Sequence, residues 1–159
     1  MSVLDPFYEK MEVVVDHLAS AAKQIPDDKT EWKPCDKSLE WLFLIHHTGT
    51  HRRMILRLFK GEPSNFPGCY AEARQETASG RETAIFLRET WAEFKTYLQS
   101  KPEDYAKSII SSPWGGPDLT VEQIAWWVYE ECVHHRGQAW VYARMNGITP
   151  PSIWGSENI

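Results

Sequence analysis

The stretch Thr120–Met145, TVEQIAWWVYEECVHHRGQAWVYARM, decides the fold. Thr120 followed three residues later by Gln123 is a capping box, so a helix begins there. Ile124, Trp127 or Val128, Glu131, His135, Gln138 and Tyr142 then recur at intervals of three and four, the spacing of one helix face. Asn146-Gly147 stops the helix ahead of Pro150-Pro151.

Working outward, the segment His46-His47-Thr48-Gly49-Thr50-His51-Arg52-Arg53 falls inside a second periodic stretch. Its expected bounds are Ser38 as N-cap and about Phe59, with Gly61 and Pro63 as the stop. A first helix is expected from Asp5-Pro6 to about Lys23, with Asp5 as cap and Pro6 at the first helical position. Another is expected from about Ser79 to Gln99, before Lys101-Pro102. A short helical piece over Tyr70–Arg74 and a short extended piece over Ser108–Ser112 complete the reading. Four long helices with few strand signals predict an all-α four-helix bundle as one domain over residues 1–159. The long linkers permit a crossover connection.

Composition narrows the function. The chain has 159 residues and a formal charge of −5, with no basic run longer than Arg52-Arg53. A phosphate-binding surface has no evident source, so no nucleic-acid partner is expected. No apolar stretch approaches the ~20 residues that span a bilayer, and the first residues lack a basic segment followed by an apolar run, so neither a membrane nor a secretory signal is expected. The three cysteines, Cys35, Cys69 and Cys132, form no CxxC pair. That argues against a disulfide framework and a thiolate zinc site, and for a reducing cytoplasm.

The chemistry lies on the two histidine-bearing helices. His47 with His51, and Glu131 with His135, each stand four residues apart on one face. Both pairs sit on stripes that turn apolar at their ends, where a buried carboxylate is costly unless a cation or donors compensate it. Two such faces meeting would form a metal site, and the imidazole–carboxylate mixture suits a divalent ion: zinc or nickel first, with iron or manganese also accepted. The competing reading pairs Glu131 with Arg52, Arg53 or Arg136 and leaves the histidines hydrogen-bonded in a crevice. His46 and His134 are each rotated about 100° from their neighbours and are expected off the site. Cys132, next to Glu131, reads as a buried inert thiol, and His17 as a surface or satisfied core residue. Arg136 and Gln138 are candidates for contacts behind the ligands. Trp126, Trp127 and Trp140 read as core, and Trp114 and Trp154 as lining of a pocket mouth. No GxSxG, P-loop or GxGxxG competes.

Taken together, His135-Arg136-Gly137-Gln138, the histidine-bearing second helix, its Trp32-Lys33-Pro34 approach and the Asn146-Gly147-Ile148-Thr149-Pro150-Pro151 ending resemble the DinB/YfiT-like superfamily of metalloenzymes. The resemblance covers nearly the whole chain. It implies a four-helix bundle with a crossover and a divalent metal held by three histidines, one from the second helix and two from an HxxxHRGQ segment. Carried over, these fall on His47, Glu131 and His135, so Glu131 stands where the family pattern has histidine. A His-His-Glu set still leaves an open position for water or substrate and favours harder metals than three imidazoles do. His51 is then an auxiliary ligand or a proton shuttle.

Some relatives transfer thiols, using low-molecular-weight thiols such as bacillithiol or mycothiol. The expectation is therefore a metal-dependent transferase of the thiol S-transferase type, with a small-molecule substrate and a homodimeric state. A metal-dependent hydrolase and a noncatalytic ligand-binding or dimerisation bundle that has lost its metal are the alternatives.

Overall fold

The computed structural model describes residues 2–63, 68–112 and 115–153. Five helices carry the architecture: α1 (Asp5–Lys23), α2 (Trp41–Phe59), α3 (Cys69–Glu76), α4 (Gly80–Gln99) and α5 (Val121–Met145). The all-α expectation holds, and the strands β1 (Ile109–Ile110) and β2 (Leu119–Thr120) form only a two-residue antiparallel ladder ahead of α5. Trp114 and Trp154 lie outside the described residues.

The four long helices form a bundle in which α1 and α2, consecutive in the chain, stand diagonally, each flanked by α4 and α5. The stretch from Gln24 to Glu40 is therefore a crossover. Directions follow from the contacts. His46 meets Thr83 and Phe59 meets Phe94, so α2 and α4 run parallel. Asp16 pairs with Arg88 and Phe7 packs on Phe94, so α1 and α4 are antiparallel. His47 meets His135 while Arg52 meets Cys132, so α2 and α5 are antiparallel. Phe7, Met11, Leu18, Trp41, Leu87, Phe94 and Ile124 are fully buried in the core that results.

Local signals explain most boundaries. Thr120 Oγ1 accepts from the Gln123 amide at 3.1 Å and Gln123 Oε1 accepts from the Thr120 amide at 2.9 Å, the reciprocal pair of a capping box. Ser79 caps α4 by its side chain alone, its Oγ accepting from the Glu82 amide at 3.2 Å.

Two expected caps are corrected. The α1 cap position is Leu4, and Asp5 lies inside the helix, its carboxylate accepting from the Ser2 amide at 2.7 Å. Helix α2 starts at Trp41, and Ser38 contacts Cys35 Sγ at 3.1 Å. The amides of Trp41 and Leu42 instead donate to the carbonyls of Trp32 and Thr30, at 2.8 and 3.1 Å. The crossover backbone thus satisfies the amide donors that a side-chain cap would otherwise engage.

Gly49 lets α2 approach α4 closely: a Cβ there would stand 2.6 Å from the Phe86 ring. The buried Arg52 ties the same two helices, donating to Leu87 O at 2.8 Å and Thr90 Oγ1 at 3.1 Å, and reaches α5 through Cys132 Sγ at 3.3 Å.

Candidate metal centre

Helices α2 and α5 bring their ligand-bearing faces together near the N-terminal half of α2. His47 and His135 face each other with Nε2 atoms 3.0 Å apart. Glu131 Oε1 lies 3.6 Å from His47 Nε2 and 3.3 Å from His135 Nε2. His47 is buried, and Glu131 and His135 are half-buried.

The outer hydrogen bonds define what these atoms are. His47 Nδ1 lies 3.1 Å from the Phe43 carbonyl and His135 Nδ1 lies 2.7 Å from Gln138 Oε1. Both partners accept, so each Nδ1 carries the proton and each Nε2 presents a lone pair. Two lone pairs and a carboxylate oxygen therefore converge with no donor among them. Such a set can hold a cation. A tetrahedral ion with bonds of about 2.0–2.1 Å separates its ligand atoms by roughly 3.3 Å, and the three edges here, 3.0, 3.3 and 3.6 Å, bracket that value. The residues fit a divalent metal.

Without an ion in the cluster, burial would raise the Glu131 pKa, and hydrogen bonds shared with His135, His47 and His51 hold it well below the usual carboxylate range. Burial lowers the His47 pKa, with the contact to Glu131 opposing, which favours the neutral, ligand-competent imidazole.

His51 takes a different position. Its Nδ1 lies 2.6 Å from Glu131 Oε1, so the ring donates to the carboxylate that the cluster shares. The three-residue group His47, Glu131 and His135 closes without it. His46 turns to α4, stacked on Phe86 with ring centroids 4.4 Å apart and Nδ1 3.2 Å from Thr83 Oγ1. His134 is exposed.

A chain with this bundle and this cluster is readily placed among known proteins. The model of the DinB superfamily matches residues 11–139. The chain belongs to the DinB superfamily. Among solved structures, this DinB-superfamily chain is similar to a DinB-like protein of Bacillus subtilis, YjoA, at 17% identity, with a TM-score of 0.70 over 94% of this chain and 97% of that one. At that identity the likeness shows the fold alone. None of the curated proteins matches the chain.

Within this DinB-superfamily fold, the remaining candidates separate. Gln138 sits behind His135 as expected for a contact that orients a ligand. Arg136 does not reach the cluster. It lies on the α1 side of α5, with its guanidinium 3.3 Å from His17 Nδ1 and 5.3 Å from the Trp140 ring centroid, because residues one step apart on a helix diverge by about 100°. Nor does Glu131 form an ion pair with Arg52, Arg53 or Arg136 among the described residues; Arg53 pairs with Glu76 at 2.8 Å. Cys132 is fully buried, and burial pushes its thiol up. Trp127, read from sequence as core, is 42% exposed and lines a cavity beside Glu131.

Sequence reasoning missed Tyr70 as a site residue. It packs over the cluster from α3, its ring 5.6 Å from His47 and 6.1 Å from His51. A short segment between loops carries no periodicity that could announce this contact.

Proposed function

We propose that the chain is a metal-dependent enzyme that activates a small nucleophile, most specifically a low-molecular-weight thiol in a transfer reaction. The observation that supports it is the convergence of His47 Nε2, His135 Nε2 and Glu131 Oε1 without a donor between them. His47, Glu131 and His135 would hold the ion, and Glu131 supplies an oxygen where the family pattern carries histidine. A zinc, nickel, iron or manganese ion held there supplies Lewis acidity that lowers the pKa of a thiol or water at its open position.

The chain's own residues supply the rest. Phe43 O and Gln138 fix the tautomers of the two histidines, while His51 holds the Glu131 carboxylate and stands at the edge of the cavity. His51 is thereby the residue placed to take or return a proton beside the reacting group. Hydrolysis uses the same ligand set; turnover of an electrophile with and without added thiol separates the two. Glu131, in place of histidine, still brings a ligand oxygen to His47 and His135, which counts against the noncatalytic alternative. A reducing cytoplasm suits three free cysteines, and a homodimer is part of the same reading. No described helix is long and apolar enough to cross a membrane.

The decisive experiment is metal content by plasma mass spectrometry on untagged protein, beside His47→Ala and His135→Ala. Near one equivalent of a divalent ion, lost in both variants with the helical circular-dichroism signal retained, supports the reading. Protein that is metal-free and takes up no added ion overturns it.

A further inference from the structure

The cluster has a neighbour. Between α2 and α5, on the Glu131 side, lies a cavity of about 120 Å³. Thr48 and Ile55 of α2 and Val128 and Cys132 of α5 form its buried walls, Trp127 stands at its exposed side, and His51 with Glu131 forms the wall shared with the cluster.

The polar atoms along the buried walls are already engaged. Thr48 Oγ1 donates to Ile45 O at 2.8 Å, and Cys132 Sγ accepts from the Arg52 guanidinium at 3.3 Å. At the end shared with the cluster, His51 Nδ1 engages Glu131 Oε1 at 2.6 Å. Apolar atoms form nearly all of the cavity's surface, so a polar group seated against Ile55 and Val128 would exchange water for walls that offer it no partner, and would lose free energy. An apolar group would gain about 25 cal/mol for each Å² it removes from water. Size sets the upper limit: a dry apolar cavity of ~150 Å³ holds benzene, so this slightly smaller one takes one ring or a branched chain of similar bulk.

We propose that the substrate of the metal centre carries a small apolar group, no larger than a single six-membered ring, which is seated in this cavity against Ile55 and Val128. The inference rests on the metal-enzyme reading and adds the substrate class to it. The cavity places the apolar group beside Glu131, so the atom to be attacked lies at the boundary between cavity and ligand cluster. Ile55 and Val128 then set which substituents are accepted.

The test uses the whole protein, metal-free and zinc-loaded, with methyl-labelled isoleucine and valine observed by NMR during titration with benzene and with naphthalene. Benzene is expected to shift the Ile55 and Val128 methyl signals saturably in both forms, and naphthalene to leave them in place. Val128→Phe, which fills the cavity, should weaken benzene binding by about tenfold or more. The wild-type size series stands alone if that variant fails to fold. Benzene that leaves both methyl signals unmoved overturns the inference, as does naphthalene acting like benzene. Zinc uptake without benzene binding sinks the cavity inference alone; benzene binding in a protein that takes up no metal sinks the metal-centre reading.

Discussion

His135 Nδ1 lies 2.7 Å from Gln138 Oε1, three residues further along α5. This one contact fixes the ring's tautomer and aims its Nε2 lone pair at His47. Gln138→Leu should therefore weaken zinc binding by roughly 10–100-fold, the usual cost of losing a partner behind a ligand. Competition with a chromogenic chelator measures it. An unchanged affinity would mean that packing alone orients His135.

Glu131 contributes charge as well as a donor atom. Glu131→Gln keeps the size and removes the charge, and should lower affinity for every divalent ion by about tenfold or more. Glu131→His recreates a three-imidazole set and should retain zinc while losing manganese, because imidazole is the softer ligand. Parallel calorimetric titrations with zinc and manganese check the contrast; equal losses for both ions in Glu131→His would refute it.

His46 makes stability depend on pH. Burial pushes its pKa down to about 4, with Glu76 of α3 pulling upward, Arg53 and His47 of α2 pulling downward, and Thr83 and Phe86 of α4 packed against the ring. An unfolded histidine titrates near ~6.5, so the unfolded state binds the extra proton first as pH falls. The contribution is complete above about 6.5 and is lost progressively toward pH 4, up to roughly 3 kcal/mol. Urea midpoints of metal-free protein between pH 8 and pH 4 should fall less steeply in His46→Gln. Parallel curves for the two proteins would remove His46 as the cause.

Arg52 is fully buried, and among the described residues no carboxylate forms an ion pair with it. Its value is therefore packing and hydrogen bonding rather than charge. Arg52→Ala leaves a cavity and frees the Leu87 and Thr90 oxygens, and should cost about 3 kcal/mol. Arg52→Met loses the same hydrogen bonds but keeps most of the volume and removes the desolvated cation, and should cost about 1–2 kcal/mol less than Arg52→Ala. Denaturant unfolding of both variants decides. Equal large losses would show that the guanidinium itself is required.

The helices and the ligand types are legible in the amino-acid sequence because their causes are local. The Thr120/Gln123 box starts α5, Asn146-Gly147 ends it, and a four-residue spacing puts Glu131 and His135 on one face whatever surrounds them. The short extended piece expected over Ser108–Ser112 is present as β1. Where a distant backbone supplies the cap, local signals mislead: the carbonyls of Trp32 and Thr30 displace Ser38 from the start of α2. Only the tertiary structure decides that His47 rather than His51 meets His135, that Arg136 turns to α1 and that Tyr70 covers the cluster. Those outcomes depend on the rotation and register of helices joined by long connections, with His47 and His135 separated by 88 residues. Capping and periodicity act over a few residues, whereas rotation and register are set by the packing of the entire core.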